Sequence, residues 1–244
     1  MTAIAAEGQL NQLPAIAGAV RVVDAVQDAL REAIFGGVLH AGEPLSVPDL
    51  ARRLNVSRSP VREAVLALVA QGLAVEQPRR GVVVATVEAR DLIAIHEIRE
   101  FLEAGAACLC AERIDDAGIA RLRAILAAQM RAVRGRDAAG YFRTNADLHR
   151  AIALCAGNER LQNILLVLEN QMRIALHRIS ADATHMRAGH DEHAAIVAAI
   201  ADRKPAAAER AMRKHIAMTI ARIRQAGGPQ PAPAAPDKRG SGRT

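Results

Sequence analysis

Aromatic side chains are nearly absent from this chain: they make up 2% of its 244 residues, with no Trp, three Phe and one Tyr. Its core must therefore be built from Leu, Ile, Val and Ala. Ala and Leu are strong helix formers, so the composition leans to an all-α protein. Cysteine is scarce as well. Cys108, Cys110 and Cys155 form no CxxC pair, and their odd number supplies no disulfide framework. That pattern predicts reduced thiols in a cytoplasmic protein, buried as small apolar residues. No run approaches the roughly 18 apolar residues of a membrane span, so no membrane partner is expected. The opening residues, MTAIAAEGQLNQLP, lack the basic stretch of a secretory leader.

Apolar residues are plentiful at 51%, enough for a globular core, and the net charge is +6. A basic balance is compatible with a polyanionic partner, but the placement of charge says more. Residues 20–88 hold eight Arg and eight acids, yet six of those Arg fall between Arg52 and Arg80. Residues 1–18 read as a flexible arm. Residues 226–244 hold four of the ten prolines and read as a disordered tail. Two folded blocks are expected between them, at 19–86 and 89–225.

The first block begins with a helix over about 20–35, with Val22, Val23, Val26, Leu30, Ala33 and Ile34 on one face. Gly36-Gly37 ends it. Short helices are expected over 47–54 and 58–71, separated by the turn Asn55-Val56-Ser57. Two β-branched runs, 73–76 and 82–85, flank QPRRGV and predict a hairpin with a basic tip. The second block reads as six helices, over about 89–112, 115–134, 137–156, 159–180, 183–203 and 205–225. Asp115, Asn158 and Lys204-Pro205 mark boundaries. The fourth carries the clearest stripe: Leu161, Ile164, Leu165, Leu168, Met172, Ala175, Leu176 and Ile179. Short connections between long helices predict an antiparallel bundle. The expected fold is mostly α: a winged helix-turn-helix with a small β-hairpin wing, then an all-α bundle.

Helix, turn, helix and basic hairpin suit operator DNA. Ser57 sits at the N-cap of the second short helix, where it and Ser59 can donate to phosphate oxygens and the helix terminus attracts an anion. Arg58 and Arg62 are four apart and share a face, while Val61, Val65 and Leu68 seat the other face. The free face suits the major groove, where Arg bonds guanine in bidentate fashion. Arg52 and Arg53 can reach the backbone, and Arg79-Arg80-Gly81 suits the minor groove. Taken alone, Arg58 and Arg62 would equally make an ordinary solvated face.

In the second block Asn145 and His149 are an i, i+4 pair on the third helix. His193 lies on the fifth helix and His215 on the sixth. Three imidazoles on three helices converge only inside the bundle, where metal sites are built. The alternative is three separate, satisfied core or surface histidines. Asp147 is two residues from His149 and is expected to face away.

The segment GVLHAGEPLSVPDLARRLNVSRSPVREAVLALVAQGLAVEQPRRGVVV resembles the N-terminal domain of the GntR family of bacterial regulators. It matches at Gly42, Leu45, Leu50-Ala51, at Val56 through Ala64, and at Gly72-Leu73 and Arg80-Gly81. The resemblance implies DNA contacts by Arg52, Ser57, Arg58, Ser59, Arg62, Arg80 and Gly81. Pro48 departs from it, standing where some members carry an Arg that contacts a base. NADLHRAIALCAGNERL and HDEHAAIVAAIADRKPAAAERAMRKHI resemble the FCD effector domain, the sensing half of one GntR branch. That implies Asn145, His149, His193 and His215 as ligands of a divalent metal ion, zinc, nickel or manganese. Asn145 replaces a common Asp and removes one negative charge. Four protein ligands on a six-coordinate ion leave two positions for a bidentate carboxylate. Arg99 matches an effector-facing Arg; its alternative is a surface ion pair with Glu103. His96 and His190 are candidate neighbours of the site, whereas His40, His177 and His185 read as structural or surface.

The expectation is a ligand-responsive regulator, a repressor, that works as a homodimer on a pseudo-palindromic operator and senses a small carboxylate. A metal-dependent enzyme of the bundle type, a sensor without metal and a non-specific DNA binder are the alternatives.

Overall fold

A computed structural model describes residues 22–176 and 183–225. The expected arm (1–18), the tail (226–244), His177 and Ile179 lie outside the described residues. Helix α1, Val22–Phe35, buries Val26, Leu30 and Ile34 at successive turns. Val22, expected on that face, is exposed at the helix start. Gly37 ends the helix with φ 71°. Helix α2, Val47–Leu54, starts after Ser46 with Pro48 in its first turn and stops at Asn55 in the left-handed conformation. Helix α3, Arg58–Ala70, follows Ser57 at its N-cap and buries Val61, Ala64, Val65 and Leu68.

Strands β1 (Ala74–Gln77) and β2 (Gly81–Val84) pair antiparallel, from Ala74 opposite Val84 to Gln77 opposite Gly81. The wing thus reaches one residue closer to its tip than expected at each strand. The cause is the tip itself: Arg80 N–H returns to the Gln77 carbonyl, with Arg79 and Gly81 at φ 64° and 72°. The loop before α2 adds Leu45 N–H to Val82 O, which lashes it to the wing. Val26, Leu30, Leu50, Val61, Leu68 and Val84 form one small core.

Six helices follow: α4 Ala89–Arg113, α5 Asp116–Arg134, α6 Ala138–Cys155, α7 Glu159–Leu176, α8 Ala183–Ala201 and α9 Pro205–Gln225. Their starts are set by side-chain caps. Asp115 accepts from Gly118 N–H and Asp137 from Gly140 N–H, satisfying donors the helix leaves unpaired. Asn158 does the same for Leu161, and Pro205 opens α9. The bundle core is aliphatic, as the shortage of aromatics requires: Ala107, Cys110, Leu148, Ile152, Ile196, Ile200 and Ile216 are all but fully buried. The three thiols are free.

Helix α7 joins the two units. Its apolar residues, read from the sequence as one stripe, divide between clusters. Leu165 enters the bundle core. Leu168 and Met172 make a separate cluster with Leu92 and Ile95. Ile174 packs against the core of the first unit, while Ile164 is half exposed. A helix wedged between two bodies has no single inner face. Asn170 Nδ2 donates to the Gln71 carbonyl at the end of α3 across 3.1 Å. Next to it, Gly72 (φ 70°) lies so close to α7 that a Cβ there would stand 2.9 Å from Val167 Cγ1.

Gly72→Ala introduces both left-handed strain and this clash. We expect it to cost about 1–3 kcal/mol in reversible urea unfolding. An unchanged midpoint would show that α3 and α7 do not meet this closely.

Candidate functional site

Two surfaces hold the residues singled out above. On the first, the turn at Asn55 aims the start of α3 outward. Arg58, Ser59 and Arg62 are exposed, whereas Val61 and Leu68 on the opposite face have no exposure. The Ser57 hydroxyl makes no capping bond, so it is available to an external acceptor. Ser59 Oγ reaches Glu63 at 3.3 Å. Arg62 and Arg80 line one groove between α3 and the wing, together with Pro48 and Leu66. Arg52 pairs with Asp49 at 2.8 Å on the surface. Such exposed pairs are worth little, so a phosphate displaces the carboxylate at small cost.

The second surface is inside the bundle. His149 on α6, His193 on α8 and His215 on α9 place one nitrogen each within 4.8 Å of the others. His193 is fully buried and His215 is 5% exposed. Their Nε2 atoms stand 3.2 Å apart. Each Nδ1 is already occupied. His193 donates to Gln129 Oε1 at 2.9 Å, His215 donates to Glu192 at 2.8 Å, and His149 donates to Glu103. With its proton on Nδ1, a neutral imidazole presents a bare lone pair at Nε2.

Two lone pairs facing each other across 3.2 Å repel unless something positive lies between them. A proton is disfavoured there. Burial, then His215 and His149, push the His193 imidazole well below its usual range. Burial also lowers His215, although Glu192 opposes it. A metal ion fits instead. The 3.2 Å separation suits two nitrogens each about 2.1 Å from one ion. Carboxylate or amide oxygens behind each ring are the arrangement that fixes a ligand's tautomer and raises its basicity. Burial favours a neutral Glu103, but Arg99 and then His149 outweigh it and hold the carboxyl well below the usual range. The same opposition, with His215 and Arg222 outweighing burial, keeps Glu192 ionised.

Asn145 lies one turn before His149 on α6. Both line a cavity of about 580 Å³ that runs between α4, α6 and α7 to Phe35 on α1. Arg99 also lines it. Its Nε donates to Glu103 at 2.6 Å and its NH1 points at the Met172 thioether. The ion pair with Glu103 therefore exists, but it is buried in the cavity wall rather than on a helix surface. Asp147, expected to face away, lines the cavity too, because the cavity is wide enough to reach both flanks of α6. His96 takes no part in the cavity wall. It donates to the Leu92 carbonyl at 2.7 Å, and burial, then Arg99, lower it to about 4. His190 reaches Gln129 at 3.3 Å and so adjoins the centre. His40 and His185 are exposed.

Sequence reasoning missed the three oxygen acceptors behind the rings. Gln129 had a signal: it is the one uncharged polar side chain in the apolar run AILAAQM. Glu192 directly precedes His193, but only folding brings it to His215. Glu103 was visible only as a partner of Arg99.

Comparison with known proteins gives one consistent result. Residues 22–84 match the family described as bacterial regulatory proteins, gntR family. Residues 94–218 match the FCD domain. The Nta operon transcriptional regulator of Aminobacter aminovorans is 31% identical over 164 residues, covering 67% of this chain and 76% of that protein. The HTH-type transcriptional repressor RspR of Escherichia coli is 26% identical over 200 residues, covering 80% and 86%. The solved structure of E. coli McbR/YncC superposes with a TM-score of 0.72 at 24% identity, over 86% of this chain and all of that one, and so shares the fold.

Glu192→Gln leaves the His215 bond in place but removes its charge. We expect zinc affinity, read by competition with a chromophoric chelator, to fall about 10–100-fold. Equal affinity would mean that Glu192 does not support a metal ligand.

Proposed function

Since the chain belongs to the GntR family of bacterial regulatory proteins and is a transcription regulator with a DNA-binding domain and an FCD domain, we propose that it is a metal-dependent sensor of a small carboxylate that represses its target genes. The family and the relatives are regulators, so the enzyme alternative for the histidine cluster falls.

One observation carries the sensing half. Three imidazoles bring one nitrogen each within 4.8 Å of the others, with every Nδ1 already engaged, and His149 opens onto a cavity large enough for a small metabolite. In this reading Asn145, His149, His193 and His215 hold a divalent ion, zinc, nickel or manganese. When bound, the ion supplies a Lewis-acidic centre for a carboxylate. Glu103, Gln129 and Glu192 orient the three rings. Arg99 is held by Glu103 and gives up only a weak sulfur contact to bond a second polar group of the ligand.

The DNA half rests on Arg58 and Arg62 in the major groove, Ser57, Ser59 and Arg52 on phosphates, and Arg80-Gly81 in the minor groove. One winged domain reads few base pairs, so a homodimer on a pseudo-palindromic operator is the working form. The helical domain offers Ile98 and Phe101, exposed on α4, and Met218, exposed on α9, for the contact between copies. Repression is the activity that the names of two relatives state for those relatives. No helix among the described residues is long and apolar enough to cross a membrane. The working place in this reading is the cytoplasm, on the nucleoid when bound to DNA.

A thermal-shift screen of metal-stripped protein against small carboxylates, with and without zinc, nickel or manganese, tests the sensor. We expect a rise in Tm that needs both metal and acid, and that His193→Ala abolishes while operator binding persists. A rise with acid alone would remove the metal from the reading. For the DNA half, Arg62→Ala should weaken operator binding by about 1–3 kcal/mol in a titration by fluorescence anisotropy. Unaltered affinity would mean that α3 is docked differently.

A further inference from the structure

The cavity beside the histidines is more cationic than one carboxylate requires. Four guanidinium groups line it, from Arg99, Arg143, Arg150 and Arg173, against three carboxylates, from Glu103, Asp147 and Glu169. Two of the cations are spoken for. Arg99 is paired with Glu103. Arg150 is paired with Glu169 at 2.5 Å and stands 3.9 Å from Asp147. Among the described residues, Arg143 and Arg173 have no acid within ion-pair distance. Arg143 lies at the exposed rim. Arg173, also exposed, stacks on a ring of the other domain, its guanidinium carbon 3.7 Å from the centroid of Phe35. Phe35 is the last residue of α1 and itself lines the cavity.

Arg173 thus stands at once in the wall of the cavity and in the seam to the DNA-binding domain. Its neighbours on α7 make that seam. Asn170 holds the Gln71 carbonyl at the end of α3. Val167 and Gln171 lie against Gly72, and Ile174 packs on the first domain's core. The helix whose inner side faces the ligand space is therefore the one that holds the end of the recognition helix.

We propose that Arg173 receives a second acidic group of the effector, which makes the effector a dianionic acid, and that this contact draws the guanidinium off Phe35 and loosens the DNA-binding domain. The proposal deepens the carboxylate-sensor reading and rests on it. A guanidinium over a phenyl face is held more weakly than one in a bidentate pair with an acid group. A ligand that bridges from the histidines to Arg173 therefore prefers the unstacked arrangement, and a ligand shifts an equilibrium only by such a preference. A mono-acid fills the histidine end and leaves the Phe35 contact intact. The second group can be a carboxylate or a phosphate, since both match the guanidinium fork.

The test uses the full-length chain loaded with zinc. Isothermal titration compares straight mono-acids with α,ω-dicarboxylates from malonate to adipate, and then with a phosphorylated hydroxy acid. Hydrogen exchange follows the last turn of α1 and residues 70–72. We expect one dianion to bind about 10–100-fold tighter than the mono-acid of equal length. The same dianion should speed exchange at both segments. Arg173→Met should erase the advantage and the exchange response while mono-acid binding remains. Arg173→Lys, which keeps the charge, should retain part of the advantage, which separates a lost charge from a damaged fold. A phosphate-bearing ligand winning over every dicarboxylate would assign the second group and still support the proposal. It is overturned if no dianion exceeds its mono-acid, or if the advantage survives Arg173→Met; in both cases the carboxylate sensor stands. If neither mono-acids nor dianions bind the zinc-loaded chain, the sensor reading fails with it.

Discussion

Two imidazole lone pairs held 3.2 Å apart, with the proton of each ring turned away to an oxygen, impose a demand that the surrounding bundle is arranged to meet. Burial removes the option of protonating one ring, because burying an uncompensated charge is costly. The oxygens of Glu103, Gln129 and Glu192 lie behind the rings and fix which nitrogen points inward. They in turn organise the cations around them: Arg99 on Glu103 and Arg222 on Glu192. Helices α4, α8 and α9 each supply two members of this assembly, and α5 and α6 supply Gln129 and His149. The centre therefore ties together helices that sequence separates by up to a hundred residues.

The remaining helix, α7, has a different task. It contributes to three apolar clusters, to the cavity wall and to the seam with the winged domain. Its Asn170 side chain bonds across the seam to the Gln71 carbonyl, at the C-terminal end of α3, the helix that presents Arg58 and Arg62. Any change in ligand space that displaces α7 is felt first where the recognition helix is anchored. The connection between the domains runs only from Val84 to Ala89, which leaves little slack to absorb such a displacement.

Much of this was legible in the residues because it depends on local rules. Caps at Asp115, Asn158 and Pro205, glycines after α1 and α3, and the period of apolar residues are short-range signals, and helix boundaries followed them within a few residues. The hairpin moved by one residue because its tip closes through backbone angles at Arg79 and Gly81 that composition does not specify. The stripe on α7 turns inward at Leu161, Leu165, Leu168 and Met172, but it is shared between clusters, because periodicity reports how apolar residues repeat and not how many bodies share them. Asp147 stays out of the histidine cluster, as its helical angle from His149 predicts, and it lines the cavity only because the cavity is wide enough to reach both flanks of α6.

The amino-acid sequence by itself determined the class of fold, the exposed arginine face of α3 and the identity of the three histidines, because period, caps and residue chemistry act over a few positions. Only the tertiary structure decided what stands behind those histidines, that Arg99 is held by a buried acid and that Arg173 rests on Phe35. These are contacts between residues 4 to 138 positions apart in the chain. The longer ones are set by how helices pack around a shared core, which no local pattern encodes.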